Sequence, residues 1–108
     1  MDKCALITGA TRGIGKQIAI TLAKQGYNIA LNYRKENEEL ENTKKEIEKI
    51  GVQVLAVKGD VANFENCENF VKQVIERFGQ IDVLVNNAGI TKDMLLMRMK
   101  KEDFEQVI

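Results

Sequence analysis

Residues 3–15 read Lys-Cys-Ala-Leu-Ile-Thr-Gly-Ala-Thr-Arg-Gly-Ile-Gly: an apolar run breaks into a glycine cluster and then opens a helical pattern. The run is short and fully apolar at its centre, which suits a strand buried on both faces of a parallel sheet. Beyond the cluster, Ile14, Ile18, Ala19, Leu22 and Ala23 recur at helical spacing. Each glycine between them has a separate physical task. Gly9 permits a tight turn, Gly13 lets a pyrophosphate approach the backbone, and Gly15 lets the helix pack close to the strand. Free amides at the helix N-terminus, together with the helix dipole, would then hold phosphates. A glycine triplet alone is weak evidence, and a glycine-rich turn without a ligand is the alternative. The position between a strand and a helix is what the binding mechanism requires.

Outward from this stretch the same alternation repeats. Residues 28–33 (NIALNY), 53–58 (QVLAVK) and 81–86 (IDVLVN) are further strand-like runs. Between them, Leu40, Ile47 and Ile50 mark a second amphipathic helix, and Phe64, Cys67, Val71, Val74, Ile75 and Phe78 mark a third. Gly26, Gly51 and Gly79 each follow a helical stretch, where a left-handed residue ends a helix. Right-handed strand–helix–strand units of this kind build an α/β three-layer sandwich on a parallel, Rossmann-type sheet, expected in the strand order 3-2-1-4. We read residues 1–108 as the N-terminal dinucleotide-binding part of a single Rossmann-type domain, with the remaining strands absent from the chain. The fourth strand is therefore expected at a sheet edge, although its pattern calls for burial on both sides, and self-association through that edge follows. Residues 101–108 (KEDFEQVI) begin a further amphipathic helix. Met94, Leu95, Leu96, Met97 and Met99 are expected to pack against neighbouring helices or a subunit, the alternative being a flexible wall for an acyl chain. Arg98, Lys100 and Lys101 fit an acidic partner or a solvated helix start equally well.

Composition excludes several classes. Of 108 residues, 16 are basic and 16 acidic, so the net charge is zero and no nucleic-acid partner is indicated. With 44% apolar and 30% charged residues the chain has the make-up of a globular domain rather than a disordered one. No apolar run approaches the ~20 residues of a membrane span, and no signal peptide opens the chain. The chain has no His, which excludes imidazole metal sites and His-assisted nucleophiles; no metal site is expected. Cys4 and Cys67 form no CxxC pair and read as buried thiols of a cytoplasmic protein. A phosphate loop of the triphosphatase kind also fails. Gln17 stands after Gly15-Lys16 where Ser or Thr would hold Mg²⁺, and Ala10 stands five residues before Gly15 where that loop has Gly.

Thr8-Gly9-Ala10-Thr11-Arg12-Gly13-Ile14-Gly15, followed by Gly59-Asp60-Val61 and Asn86-Asn87-Ala88-Gly89, resembles the short-chain dehydrogenase/reductase family over the whole chain. The tail from Asn87 to Met99 is similar to the branch of that family that reduces β-ketoacyl thioesters carried on acyl carrier protein, in fatty acid synthesis. The resemblance implies an oxidoreductase and a homo-oligomer, with this chain corresponding to less than half of such an enzyme. It implies that Gly9, Ala10, Thr11, Arg12, Gly13, Ile14 and Gly15 line the pyrophosphate and adenosine ribose. Asp60 and Val61 would flank the adenine, and Asn87, Ala88 and Gly89 would pass beneath the cofactor, while Asn86 braces neighbouring strands. Taken alone, Asp60 also fits an Asx turn or helix cap.

Cofactor choice has a physical argument of its own. A preference for NAD rests on a carboxylate at the end of the second strand, and none occurs here before Glu36. Arg12 and Arg34 would instead bracket a 2′-phosphate through charge-assisted hydrogen bonds, with Lys35 adding a point charge, so NADP(H) is expected. The alternative is that these are solvated surface cations. The family's hydride transfer uses a Tyr acid, a Lys four residues later and a Ser that orients the carbonyl. Here the tyrosines are Tyr27 and Tyr33, with Leu31 and Asn37 four residues on, so no catalytic residue is assigned within the chain. Two other readings stay open: part of another short-chain reductase acting on a sugar, steroid or small ketone, or a non-catalytic nucleotide-binding or self-associating half-domain.

Overall fold

The computed structural model describes residues 3–9, 13–59, 64–86 and 95–100. Strands β1 (Cys4–Ile7), β2 (Asn28–Tyr33) and β3 (Val54–Lys58) alternate with helices α1 (Gly13–Lys24), α2 (Glu38–Ile50) and α3 (Phe64–Phe78); β4 (Gln80–Asn86) and β5 (Leu95–Lys100) follow. β1 pairs in parallel with both β2 and β4, and β2 pairs in parallel with β3. The sheet order is β3-β2-β1-β4-β5, so the expected 3-2-1-4 core is present.

Side-chain alternation along the strands creates the three layers. In β1, Ala5 and Ile7 face one side and Cys4 and Leu6 the other; in β2, Ile29 and Leu31 oppose Ala30. The Ala5–Ile7 side packs under α1 and α2 through Ala19, Ala23, Leu40 and Ile47. The Cys4–Leu6 side packs under α3 through Phe70, Val74 and Ile75. α1 buries only Gly15, Ala19 and Ala23, small residues at four-residue spacing that bring its axis close to the sheet.

Local chemistry sets the helix limits. Asn37 is extended (φ −158°) and its side-chain oxygen accepts the Leu40 amide at 2.9 Å, capping α2. Glu38, Glu39 and Glu41 crowd the positive first turn, Lys49 lies in the last, and Gly51 closes the helix at φ 109°. Gly26 and Gly79 likewise have positive φ, as expected of residues that follow helices.

The edge of β4 departs from the expectation. It is not left open: β5 runs antiparallel along it, pairing Gln80 with Lys100 and Asn86 with Leu95. The stretch expected to pack against helices or a subunit is thus a strand from Leu95 onward, and Arg98 and Lys100 belong to it rather than to a helix start. Unpaired N–H and C=O groups on β4 are costly, and pairing satisfies them whatever the helix propensity of Leu and Met. The self-association expected from an open β4 edge loses that basis. A register slip between Ile81 and Leu84 marks a bulge, and both residues pack on the α3 side, an odd spacing that a regular strand forbids. The helix expected at residues 101–108 lies outside the described residues. Among the described residues no helix is long and apolar enough to cross a membrane.

Candidate functional site

In a parallel sheet all strands end at one edge, and here the loops after β1, β3 and β4 leave from it. β1 lies between β2 and β4, so the chain leaves β1 towards α1 on one face and reaches β4 from α3 on the other. The crevice at such a switch point is where open α/β sheets bind ligands.

The glycine stretch occupies this crevice. Thr8 continues β1, donating its amide to the Val85 carbonyl at 3.1 Å. Gly9 turns the chain with φ 64°, and its amide donates to the Asn32 side-chain oxygen at 2.9 Å. That amide is therefore engaged by protein. Gly13 also has φ 64°, and among the described residues a Cβ built there would meet no atom within 4 Å beyond its chain neighbours and its own helix backbone. The backbone at the start of α1 is thus both left-handed and open. Ile14 beside it is 67% exposed, although its side chain is large and apolar. Gly15 is buried against the sheet.

Arg34 stands exposed directly after β2, at the same edge as the glycine stretch. Lys16 forms an ion pair with Glu46 of α2 at 3.3 Å, a more specific arrangement than a solvated first-turn residue. Ala10, Thr11, Arg12, Asp60, Val61, Asn87, Ala88 and Gly89 lie outside the described residues. The chain enters those segments from Gly9, Gly59 and Asn86, all at the C-terminal edge of the sheet.

Neither tyrosine suits acid catalysis. The Tyr33 hydroxyl donates to Glu36 Oε1 at 3.4 Å, and its pKa is raised by desolvation first and then by the Glu36 carboxylate. A proton donor near neutral pH needs the opposite shift. Tyr27 lies before β2, at the opposite edge, with Lys3 Nζ 5.7 Å from its ring centroid. Among the described residues no cluster of three His, Cys, Asp or Glu side chains could hold a metal ion.

Three polar side chains that sequence reasoning passed over prove to organise the sheet ends. Asn32, only 3% exposed, accepts from Gly9 and donates through Nδ2 to the Gly59 carbonyl at 2.9 Å. Asn28 Oδ1 accepts the Gln53 amide at 3.0 Å, tying the start of β2 to β3. Asp82, 8% exposed, accepts the Cys4 amide at 2.8 Å and Gln80 Nε2 at 2.9 Å. Burial and this carboxylate push the Cys4 thiol up to about 12. The available signal was a lone polar residue inside an apolar strand, since a buried polar group must find partners.

Comparison with known proteins agrees with this geometry. The family model for short chain dehydrogenases matches residues 3–108. A 3-oxoacyl-acyl-carrier-protein reductase of Staphylococcus epidermidis is 49% identical over 108 residues, all of this chain and 44% of that protein. The corresponding reductase of Synechocystis is 45% identical over 104 residues, 96% of this chain and 42% of that protein. The chain thus spans less than half the length of these relatives. Among solved structures, a short chain dehydrogenase of Burkholderia cenocepacia in complex with NADP superposes with TM-score 0.77 at 43% identity, over 82% of this chain and 36% of that one. Sheet order, glycine stretch and sequence likeness together make this chain a member of the short-chain dehydrogenase family.

Proposed function

We propose that this chain is the cofactor-binding part of an NADPH-dependent reductase of 3-oxoacyl thioesters carried on acyl carrier protein. The observation that carries the reading is Gly13: a left-handed, sterically open backbone at a helix N-terminus on the switch-point edge. A cofactor's pyrophosphate fits there because no side chain stands between it and the backbone. Ile14 offers an apolar surface beside it. Thr11, Arg12 and Ile14 complete the loop; Asp60 and Val61 would take the adenine, and Asn87, Ala88 and Gly89 would support the ring bearing the hydride. Arg12 and Arg34 would read the 2′-phosphate, for which the absence of an acidic residue at the end of β2 also speaks. Bound NADPH supplies the hydride; the residues of this chain hold and orient it. The likeness to 3-oxoacyl-acyl-carrier-protein reductases supports the substrate class; a homo-oligomeric parent working in the cytoplasm belongs to the same proposal.

Residues 1–108 offer no Tyr followed by Lys four positions on, and the Tyr33 hydroxyl donates to Glu36. The chain alone is therefore expected to bind NADP⁺ in preference to NAD⁺ by calorimetry, and to oxidise no NADPH above buffer background with a β-ketoacyl thioester. Absence of any nucleotide binding would overturn the cofactor assignment. Turnover comparable to a complete reductase, surviving repurification, would overturn the division of labour.

A further inference from the structure

Asn32 is the last buried residue of β2, and its two bonds join segments far apart in sequence: Gly9 in the loop after β1 and Gly59 at the end of β3. The Gly9 amide can only donate and the Gly59 carbonyl can only accept, so the orientation of the Asn32 amide is determined by its partners. Both partners are backbone groups, and each immediately precedes a segment assigned to the cofactor: Ala10 to Arg12 on one side, Asp60 and Val61 on the other. We propose that Asn32 is the positioning residue that sets the spacing between the phosphate loop and the adenine-side turn, and thereby the affinity for the adenosine half of a dinucleotide. The inference rests on the nucleotide-binding reading above. Asn32 bonds to backbone groups on both sides, so its influence passes through Gly9 and Gly59. Only a side chain with one donor and one acceptor spans this gap; Leu has neither, and ionised Asp has acceptors alone.

Asn32→Asp turns this requirement into a pH switch. The protonated carboxyl group donates to Gly59 O while accepting from Gly9 N, as Asn does; the carboxylate faces the Gly59 carbonyl with no proton to offer. Burial and that carbonyl both favour the protonated form, raising the acid's pKa. The test measures NADP⁺ dissociation constants for wild type, Asn32→Asp and Asn32→Leu from pH 5 to pH 8.5, at temperatures well below each variant's melt. Relative to wild type at the same pH, Asn32→Asp is expected to bind about tenfold more weakly or worse at high pH and to recover at low pH. Asn32→Leu is expected to bind weakly throughout; its neutrality separates loss of the bridge from charge repulsion of the cofactor. A purely structural role would lower the melting temperature while the folded fraction bound NADP⁺ as wild type does. Wild-type binding with unchanged constants in both variants overturns the inference and leaves the nucleotide reading intact, as does wild-type-like binding by Asn32→Leu alone. Should Asn32→Leu not fold, a pH-independent Asn32→Asp constant overturns it equally. Failure of wild type to bind NADP⁺ overturns both.

Discussion

Replacing Gly13 by Ala separates the cost of backbone strain from the cost of a blocked ligand. Gly13 has φ 64°, where an L residue is disfavoured by roughly 1–2 kcal/mol, and its Cβ would crowd no atom of the described residues beyond its chain neighbours and its own helix backbone, so overpacking among them adds nothing. The methyl group also narrows the unfolded ensemble, which offsets roughly 0.5 kcal/mol. A net loss of about 1 kcal/mol would lower the melting temperature by roughly 4–8 °C in a domain of this size. Gly26 supplies a matched control, because it also has positive φ (95°) and open space around its Cβ, yet closes α1 at the opposite edge of the sheet. The two Ala variants should therefore lose similar stability in urea titrations followed by circular dichroism. Their cofactor binding should differ. A methyl group at Gly13 holds a phosphate off the backbone, and losing two charge-assisted hydrogen bonds at ~1.5 kcal/mol each lowers affinity more than a hundredfold. Gly26→Ala should bind NADP⁺ as wild type does. Equal calorimetric constants for the two variants would refute the phosphate assignment at Gly13. Val is a poorer probe than Ala here, since a β-branched residue at positive φ strains the fold itself.

Two further outcomes are expected. Arg34→Ala should weaken NADPH binding by on the order of 1.5–3 kcal/mol and leave NADH nearly unchanged, and equal losses for both by calorimetry would show that Arg34 does not read the 2′-phosphate. Cys4, with its thiol pushed up to about 12, should resist thiol reagents at pH 8 in the native state while Cys67 reacts. The same shift bears on stability, because the native thiol keeps its proton while the unfolded one ionises above its ordinary value of 9.0. Unfolding then releases a proton between pH 9 and about 12, so stability should fall as pH rises through that window. Cys4→Ala should lose less stability over the same range, and identical profiles would refute the burial argument.

Periodicity and turn chemistry act over a few residues, and on these the sequence alone sufficed. The core of each of the first four strands, the faces of the three helices and the glycines that end them follow from short apolar runs, from helical spacings of three and four and from conformations that favour glycine. β2 occupies Asn28–Tyr33 as read, and β3 starts one residue later than expected, within the usual drift of element ends. The placement of the glycine stretch was equally legible, because it needs only a strand before it and a helix after it.

Tertiary structure decided what depends on neighbours distant in sequence. Residues 95–100 alternate apolar and charged side chains only from Met97 to Lys100, in residue types (Leu, Met, Lys, Arg) that also suit a helix, and the open edge of β4 makes them β5. Asn32 and Asp82 look out of place in apolar runs until Gly9, 23 residues away, and Cys4, 78 residues away, arrive beside them. Local pattern can mark such residues as needing partners, since a buried polar group left alone is costly. It cannot name the partners, because hydrogen-bond geometry across a sheet is set only when the strands have been brought into register.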